Sequence, residues 1–304
     1  PTIVLLHGYL STIELFRPNI DYWTARGYRV VGFDYPGYGR SNHLPPISSM
    51  EGLLELTFSF LQEVVGTSSP SGNNKGLLTV VGYDYGGMLA QALTAKYPQI
   101  ANNVILYGTS NQGSLPRRYE TFEETVLSME KNGFVQEALR AMQKYGFYDI
   151  ADDVPMASIG TLVPYWSLCE QAVATMSLQA VRASFQAMAS WGDPSSEDAV
   201  ETEGIYNMPI LLLWGENDLI IERTITNRLR DCLGNASLCT LPASAHLAHL
   251  ERVEEFSENV ILFITTADAV IPKYRCYNDF FNFEEMAALT SDDSVVAARI
   301  VHAL

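Results

Sequence analysis

Three polar residues stand where apolar, strand-like runs give way to turns, and their types point to covalent chemistry. Asp84 lies in Val80-Val-Gly-Tyr-Asp84-Tyr-Gly-Gly87, which passes directly into a helical pattern from Met88 to Tyr97. Small residues at Gly82, Gly86 and Gly87 let the backbone close sharply around an apex side chain, as a turn that exposes a nucleophile requires. A carboxylate at that apex is already ionised at pH 7, so it can attack an alkyl carbon without a base and become an ester. Asp218 closes Trp214-Gly-Glu-Asn-Asp218 after the run Ile210 to Trp214, and His246 closes Pro242-Ala-Ser-Ala-His246 after Leu238 to Leu241. An imidazole oriented by a carboxylate through one ring nitrogen activates water with the other, which is what hydrolysis of an Asp84 ester needs. His246 ranks ahead of His249 because it directly follows the strand.

Such residues must be positioned, and the rest of the chain supplies the elements. Six short runs rich in apolar and β-branched residues read as strands: Thr2 to Leu6, Arg29 to Phe33, Leu77 to Val81, Asn103 to Tyr107, Pro209 to Trp214 and Ser237 to Leu241. Their near-continuous apolar character, with helical patterns between them, predicts an α/β fold with a mostly parallel sheet flanked by helices. Between Tyr107 and Pro209 the pattern turns wholly helical: Phe122, Val126 and Met129 share one spacing, and Val173, Met176, Phe185 and Met188 share another on a longer segment. The expected organisation is a core α/β domain over 1–111 and 207–266, an inserted all-helical lid over 112–206, and a C-terminal extension over 267–304. A polar Gly/Ser/Asn stretch, Gly66 to Gly76, reads as a surface connection.

Composition narrows the partners. With 19 Lys and Arg against 35 Asp and Glu the net charge is −16, which repels nucleic acid and anionic membranes. The 304 residues are 47% hydrophobic and 18% charged, enough to bury a large core, and no run approaches the ~18 apolar residues of a membrane span. The four cysteines have no metal-ligand spacing, so no metal or cofactor is expected. Free thiols in a reducing, cytoplasmic setting are the first expectation, with a Cys232–Cys239 bridge as the alternative. Asn235-Ala-Ser237 is a glycosylation sequon that has meaning only in a secreted chain.

Taken together these segments resemble the α/β-hydrolase superfamily, whose triad runs nucleophile, acid, histidine along the chain as Asp84, Asp218 and His246 do. His7-Gly8-Tyr9-Leu10 is similar to its oxyanion loop, and Phe33-Asp34-Tyr-Pro-Gly37-Tyr-Gly39-Arg-Ser41 to its second glycine-rich loop; the likeness, which includes Ala245-His246-Leu-Ala-His-Leu-Glu251, covers residues 1 to about 264. Gly-x-Asp-x-Gly-Gly resembles the carboxylate-nucleophile branch of epoxide hydrolases and haloalkane dehalogenases, and no Gly-x-Ser-x-Gly occurs.

That resemblance implies an oxyanion hole made by the backbone N–H groups of Tyr9 and Tyr85. It also implies a lid phenol that protonates the oxirane oxygen, Tyr148 first and Tyr145 second, in Lys144-Tyr145-Gly-Phe-Tyr148. The second lid tyrosine is replaced by Phe185 in Phe185-Gln-Ala-Met-Ala-Ser-Trp191. Dehalogenases usually carry Trp after the nucleophile, where this chain has Tyr85. The expectation is an enzyme of the epoxide-hydrolase type acting on a small lipophilic epoxide, such as a polyketide, terpene or fatty epoxide. Phe185, Trp191, Tyr165 and Trp166 are expected to line its pocket. Its competitors are a haloalkane dehalogenase, an epoxide-opening cyclase and a non-catalytic ligand receptor on the same fold. The extension carries Tyr274, Tyr277, Phe280, Phe281 and Phe283, aromatic surface that is expected to help form a homodimer.

Overall fold

A computed structural model describes residues 1–65, 78–111, 122–150, 155–192, 208–233 and 236–266. Six parallel strands form one sheet: β1 (Thr2–Leu6), β2 (Arg29–Gly32), β3 (Leu78–Tyr83), β4 (Asn103–Tyr107), β5 (Ile210–Gly215) and β6 (Ala236–Leu241), in the order β2-β1-β3-β4-β5-β6. The register pairs Leu6 with Gly82 and Tyr83 with Tyr107, so the ends of β1, β3 and β4 come level at one edge. Every residue of β3, β4 and β5 is buried, which explains why these strands read as unbroken apolar runs rather than alternating ones. Strands β1 and β4 have the expected bounds and the other four differ by one or two residues at their ends, the largest change being β3, which runs on through Gly82 and Tyr83 to the foot of Asp84.

Helices α1 (Arg17–Thr24), α2 (Met50–Val65), α3 (Tyr85–Lys96), α9 (Arg223–Cys232), α10 (Ala248–Glu251) and α11 (Val253–Thr266) accompany the sheet. Between β4 and β5 lie five described helices: α4 (Phe122–Asn132), α5 (Phe134–Gly146), α6 (Met156–Leu162), α7 (Trp166–Ala174) and α8 (Leu178–Gly192). The segment read from the sequence as one long helix from Val173 to Met188 is two helices, α7 and α8. The break has a local cause: the Thr175 hydroxyl turns back to donate to the Gln171 carbonyl at 2.8 Å, and Ser177 Oγ accepts the Ala180 N–H at 3.0 Å, starting a new helix.

This helical insertion is tied to the core at loops beyond the strand ends. The Tyr38 hydroxyl donates to Ser184 Oγ on α8 at 2.9 Å, Ser177 N–H donates to the Gly37 carbonyl at 3.3 Å, and Leu247 N–H donates to the Gly146 carbonyl at 2.7 Å. Cys169 and Cys232 are free and Cys239 is disulfide-bonded, which corrects both cysteine expectations: a Cys232–Cys239 bridge is excluded, and the thiols are not all free. No described helix is long and apolar enough to cross a membrane. The Gly66 to Gly76 connection, Asn235 of the sequon and the extension with its aromatics lie outside the described residues, as do parts of the expected lid.

Candidate active site

The sheet changes winding direction at β1, with β2 on one side and β3 on the other, and open parallel sheets build their sites in the crevice at such a point. The loop after β1 and the turn after β3 meet there. Asp84 sits at that turn with φ 50° and ψ −114°, a left-handed conformation that costs a non-glycine residue about 1–3 kcal/mol and persists only where the surroundings enforce it. The enforcement is visible. Asp84 N–H donates to the Tyr107 carbonyl at 2.9 Å, and the Asp84 carbonyl accepts the Thr109 hydroxyl at 2.7 Å and the Gly87 N–H at 2.9 Å. A Cβ on Gly86 would lie 2.1 Å from the Leu6 carbonyl oxygen and one on Gly82 2.5 Å from the Gly86 oxygen, both backbone atoms that cannot yield. The glycines flanking Asp84 are therefore demanded by the turn.

The nucleophile candidate is 2% exposed, and one of its oxygens is already oriented: Tyr9 N–H donates to Asp84 Oδ2 at 2.8 Å. This is the first of the two expected oxyanion donors. The second expected donor, the Tyr85 amide, opens helix α3.

Asp218 and His246 come together as expected. His246 Nδ1 donates to Asp218 Oδ2 at 2.8 Å, while Asp218 Oδ1 accepts the Ile220 and Ile221 N–H groups at 2.8 and 2.9 Å. With Nδ1 committed to the carboxylate, Nε2 is the nitrogen available to a reacting water. Burial acts to lower the His246 pKa, but the Asp218 carboxylate, by charge and hydrogen bond, and the charge of Asp84 together outweigh it and hold the pKa above 6.5. Asp84 and His246 thus lie within reach of each other's charge. His249, the competing histidine, is fully buried, stacks on Phe16 with ring centroids 4.3 Å apart, and has no hydrogen-bond partner on either ring nitrogen among the described residues. Burial, reinforced by His246, pushes its pKa down to about 3, so it stays neutral.

Several residues that the sequence did not single out hold this arrangement. His7 Nε2 accepts the Tyr35 N–H at 3.0 Å and Nδ1 donates to the Gly8 carbonyl at 2.9 Å, which joins the loops after β1 and β2. Asp34 ties the same loops, taking the Ile13 N–H on Oδ1 and the Arg40 N–H on Oδ2, both at 2.9 Å. The Tyr107 hydroxyl donates to the His246 carbonyl. Asp34 belongs to a glycine-rich loop legible in the sequence, whereas Tyr107 gave no signal beyond ending a strand.

The expected lid residues divide. Tyr148 is 42% exposed and Tyr165 44% exposed, the latter with left-handed backbone (φ 64°) just before α7. Tyr145 and Phe185 are half-buried, while Trp166 and Trp191 are buried with indole N–H groups that find no acceptor among the described residues. A different set of phenols lies within the influence of the Asp84 charge. Tyr9, Tyr35 and Tyr38 are all raised in pKa chiefly by burial, with the Asp84 charge contributing to each, so all three stay protonated. No group of three or more His, Cys, Asp or Glu able to hold a metal occurs among the described residues.

Known proteins agree with this architecture. A protein from Bacillus subtilis (strain 168) named uncharacterized hydrolase YugF is 26% identical over 271 residues, 86% of this chain and 89% of that protein. A haloalkane dehalogenase from Psychrobacter cryohalolentis is 27% identical over 140 residues, 44% of each chain. The structure of an esterase from Exiguobacterium antarcticum superposes with a TM-score of 0.69 at 15% identity, covering 87% of this chain and 91% of that one. A family model described as alpha/beta hydrolase fold matches residues 1–253, the stretch that contains Tyr9, the Asp84 turn, Asp218 and His246. With sheet order, turn and histidine–carboxylate pair in place, this chain belongs to the alpha/beta hydrolase fold family and is a hydrolase of that type.

Proposed function

We propose that the protein opens a lipophilic epoxide by way of an alkyl ester of Asp84. The observation that carries this reading is the presence of a carboxylate, rather than a hydroxyl, at the strained apex after β3, with one oxygen already held by the Tyr9 N–H at 2.8 Å. In this reading Oδ1 attacks an oxirane carbon. The carbon–oxygen bond of the ring breaks, its electron pair goes to the ring oxygen, and a phenol O–H protonates that oxygen. His246 Nε2 then takes a proton from water, whose oxygen adds to the Asp84 carbonyl carbon; negative charge collects on Oδ2, where the Tyr9 N–H waits. Collapse expels the second oxygen of the diol with the proton from His246, and the proton on the regenerated Asp84 carboxyl restores the phenol. Epoxide plus water gives a vicinal diol. Helices α4 to α8 act in this reading as the lid that keeps bulk water from the ester.

The proton donor is assigned to the loop phenols Tyr9 and Tyr38. Both lie within the influence of the Asp84 charge, and Tyr38 is buried against Ser184, whereas Tyr148 faces solvent over nearly half its surface. A second reading has its own support: the buried indole N–H groups of Trp166 and Trp191, which find no acceptor among the described residues, are donors of the kind a departing halide needs, which favours haloalkane dehalogenation by the same triad. Turnover measured on a panel of aryl, terpenoid and long-chain epoxides beside matched haloalkanes decides between them. Diol formation from epoxides, abolished in Asp84→Ala, is expected. Halide release without diol formation would replace the first reading by the second, and turnover surviving in Asp84→Ala would remove both.

A further inference from the structure

Glu251 takes no part in the chemistry above, yet its carboxylate joins two segments far apart in sequence. Its Oε2 accepts the Ala245 N–H at 2.7 Å, one residue before His246, and its Oε1 accepts the Tyr148 N–H at 2.5 Å, at the end of the insertion's second helical segment. A second strut runs parallel: the Leu247 N–H, one residue after His246, donates to the Gly146 carbonyl at 2.7 Å. The two segments pack closely, since a Cβ on Gly146 would come within 2.7 Å of Leu247 Cδ1. The His246 carbonyl is held from the core side by the Tyr107 hydroxyl, and Arg252 donates to the Ala243 carbonyl at 3.3 Å. The backbone on both sides of the catalytic histidine is therefore fastened to residues 146–148 of the insertion, and half of that fastening is one side chain.

We infer that Glu251 is a positioning residue that clamps the His246 loop to residues 146–148, so that His246 holds its register against Asp218 and the ester only while the insertion is seated. A carboxylate suits the task because it presents two acceptors to two N–H donors, and charge-assisted bonds of this kind are about twice as strong as neutral ones. Glutamine cannot replace it, since its amide offers one acceptor and turns an N–H₂ toward the second N–H. Burial, with the Asp218 charge, raises the Glu251 pKa, while the two backbone bonds and Arg252 oppose the shift. The role rests on the proposed two-step chemistry only for its kinetic consequence. Attack by Asp84 needs no base, so a loosened His246 slows ester hydrolysis and leaves ester formation alone.

The test uses the full chain with nitrogen-15-labelled histidine, in wild type, Glu251→Gln and Gly146→Ala. The second variant crowds the buried Leu247 side chain beside the other strut without changing any charge. The His246 ring titration needs no substrate. In both variants its midpoint is expected to fall from its raised wild-type position toward 6.5, as the Asp218 bond loosens, while circular dichroism shows the fold retained. With styrene oxide and 1,2-epoxydodecane as probes, kcat is expected to drop roughly 10- to 100-fold, the range typical for partners that orient a catalytic ligand, with the initial alkylation rate near wild type and ester accumulating. Should Glu251→Gln fail to fold, Glu251→Asp, whose shorter side chain cannot reach both N–H groups, takes its place. An unchanged His246 midpoint in the folded variants, or a fall in alkylation and hydrolysis by the same factor, overturns the clamp. A shifted midpoint in a wild-type background that never forms ester leaves the clamp standing and refutes the epoxide reading.

Discussion

At the scale of single residues, the account rests on a division of labour between Asp84 and His246. Attack by an ionised carboxylate needs no proton transfer, but hydrolysis of the ester does, so removing each residue arrests a different step. Asp84→Ala is expected to lose all measurable turnover with melting temperature near wild type, because the glycines and the Tyr107 and Thr109 contacts shape the turn rather than the carboxylate. The pH dependence follows from the same pair. The charge of Asp84 is one of the groups holding the His246 pKa above 6.5, and esterification removes that charge. His246 must be neutral to act as base, so hydrolysis rises with pH through its pKa in the ester form. The acid limb of ester hydrolysis is therefore expected below the midpoint of the His246 titration in the free enzyme. A limb at or above that midpoint would show that Asp84 does not feel His246.

At the scale of elements, the loops beyond the strand ends carry Tyr9, Tyr35 and Tyr38, whereas the sequence directs attention to the phenols of the insertion. The candidate triad is legible because its residues are confined to short motifs: Gly82, Asp84, Gly86 and Gly87 around one turn, Asp218 after one strand, His246 after another. The loops bearing Tyr9, Tyr35 and Tyr38 were also legible as loops. Their proximity to Asp84 was not, because it depends on strands β1, β2 and β3 being adjacent in space and on α8 folding back over Tyr38. The sequence points to the Tyr148 phenol; in the structure the Tyr148 backbone N–H donates to Glu251. Apolar spacing persists across the break between α7 and α8, and only Thr175 and Ser177 mark it. Stopped-flow alkylation separates the two sets of phenols. Tyr9→Phe or Tyr38→Phe is expected to slow alkylation by roughly 10² to 10⁴, the usual worth of a general acid, with Tyr148→Phe and Tyr145→Phe close to wild type. The reverse pattern would return the acid to the insertion.

At the scale of the whole molecule, buried histidines set the response to acid. His7 and His249 have pKa values lowered by burial to about 4 and about 3, so below 6.5 the unfolded chain binds protons that the folded chain refuses. Their contribution to stability is complete above pH 6.5 and is lost as pH falls toward 4. His246, raised instead, contributes fully below 6.5 and less as pH climbs through its folded value. Melting temperature is expected to decline from pH 7 to pH 5, and His249→Phe, which fills the same stacked site on Phe16 without a proton to refuse, is expected to flatten that decline by about one proton's worth. An equal slope in this variant would place the acid sensitivity elsewhere. The aromatic extension over 267–304, read from sequence as part of a homodimer, is tested by truncation after Ala267 and light scattering; a lower mass supports that proposal and an unchanged mass removes it. The central claim is the Asp84 ester, and intact-protein mass spectrometry of His246→Gln with the best epoxide of the panel addresses it most directly. The account predicts a mass gain equal to the entire epoxide, located by peptide mapping at Asp84 and absent in an Asp84→Ala, His246→Gln double variant. An unmodified His246→Gln protein, from a wild type that releases diol from the same epoxide, would contradict it.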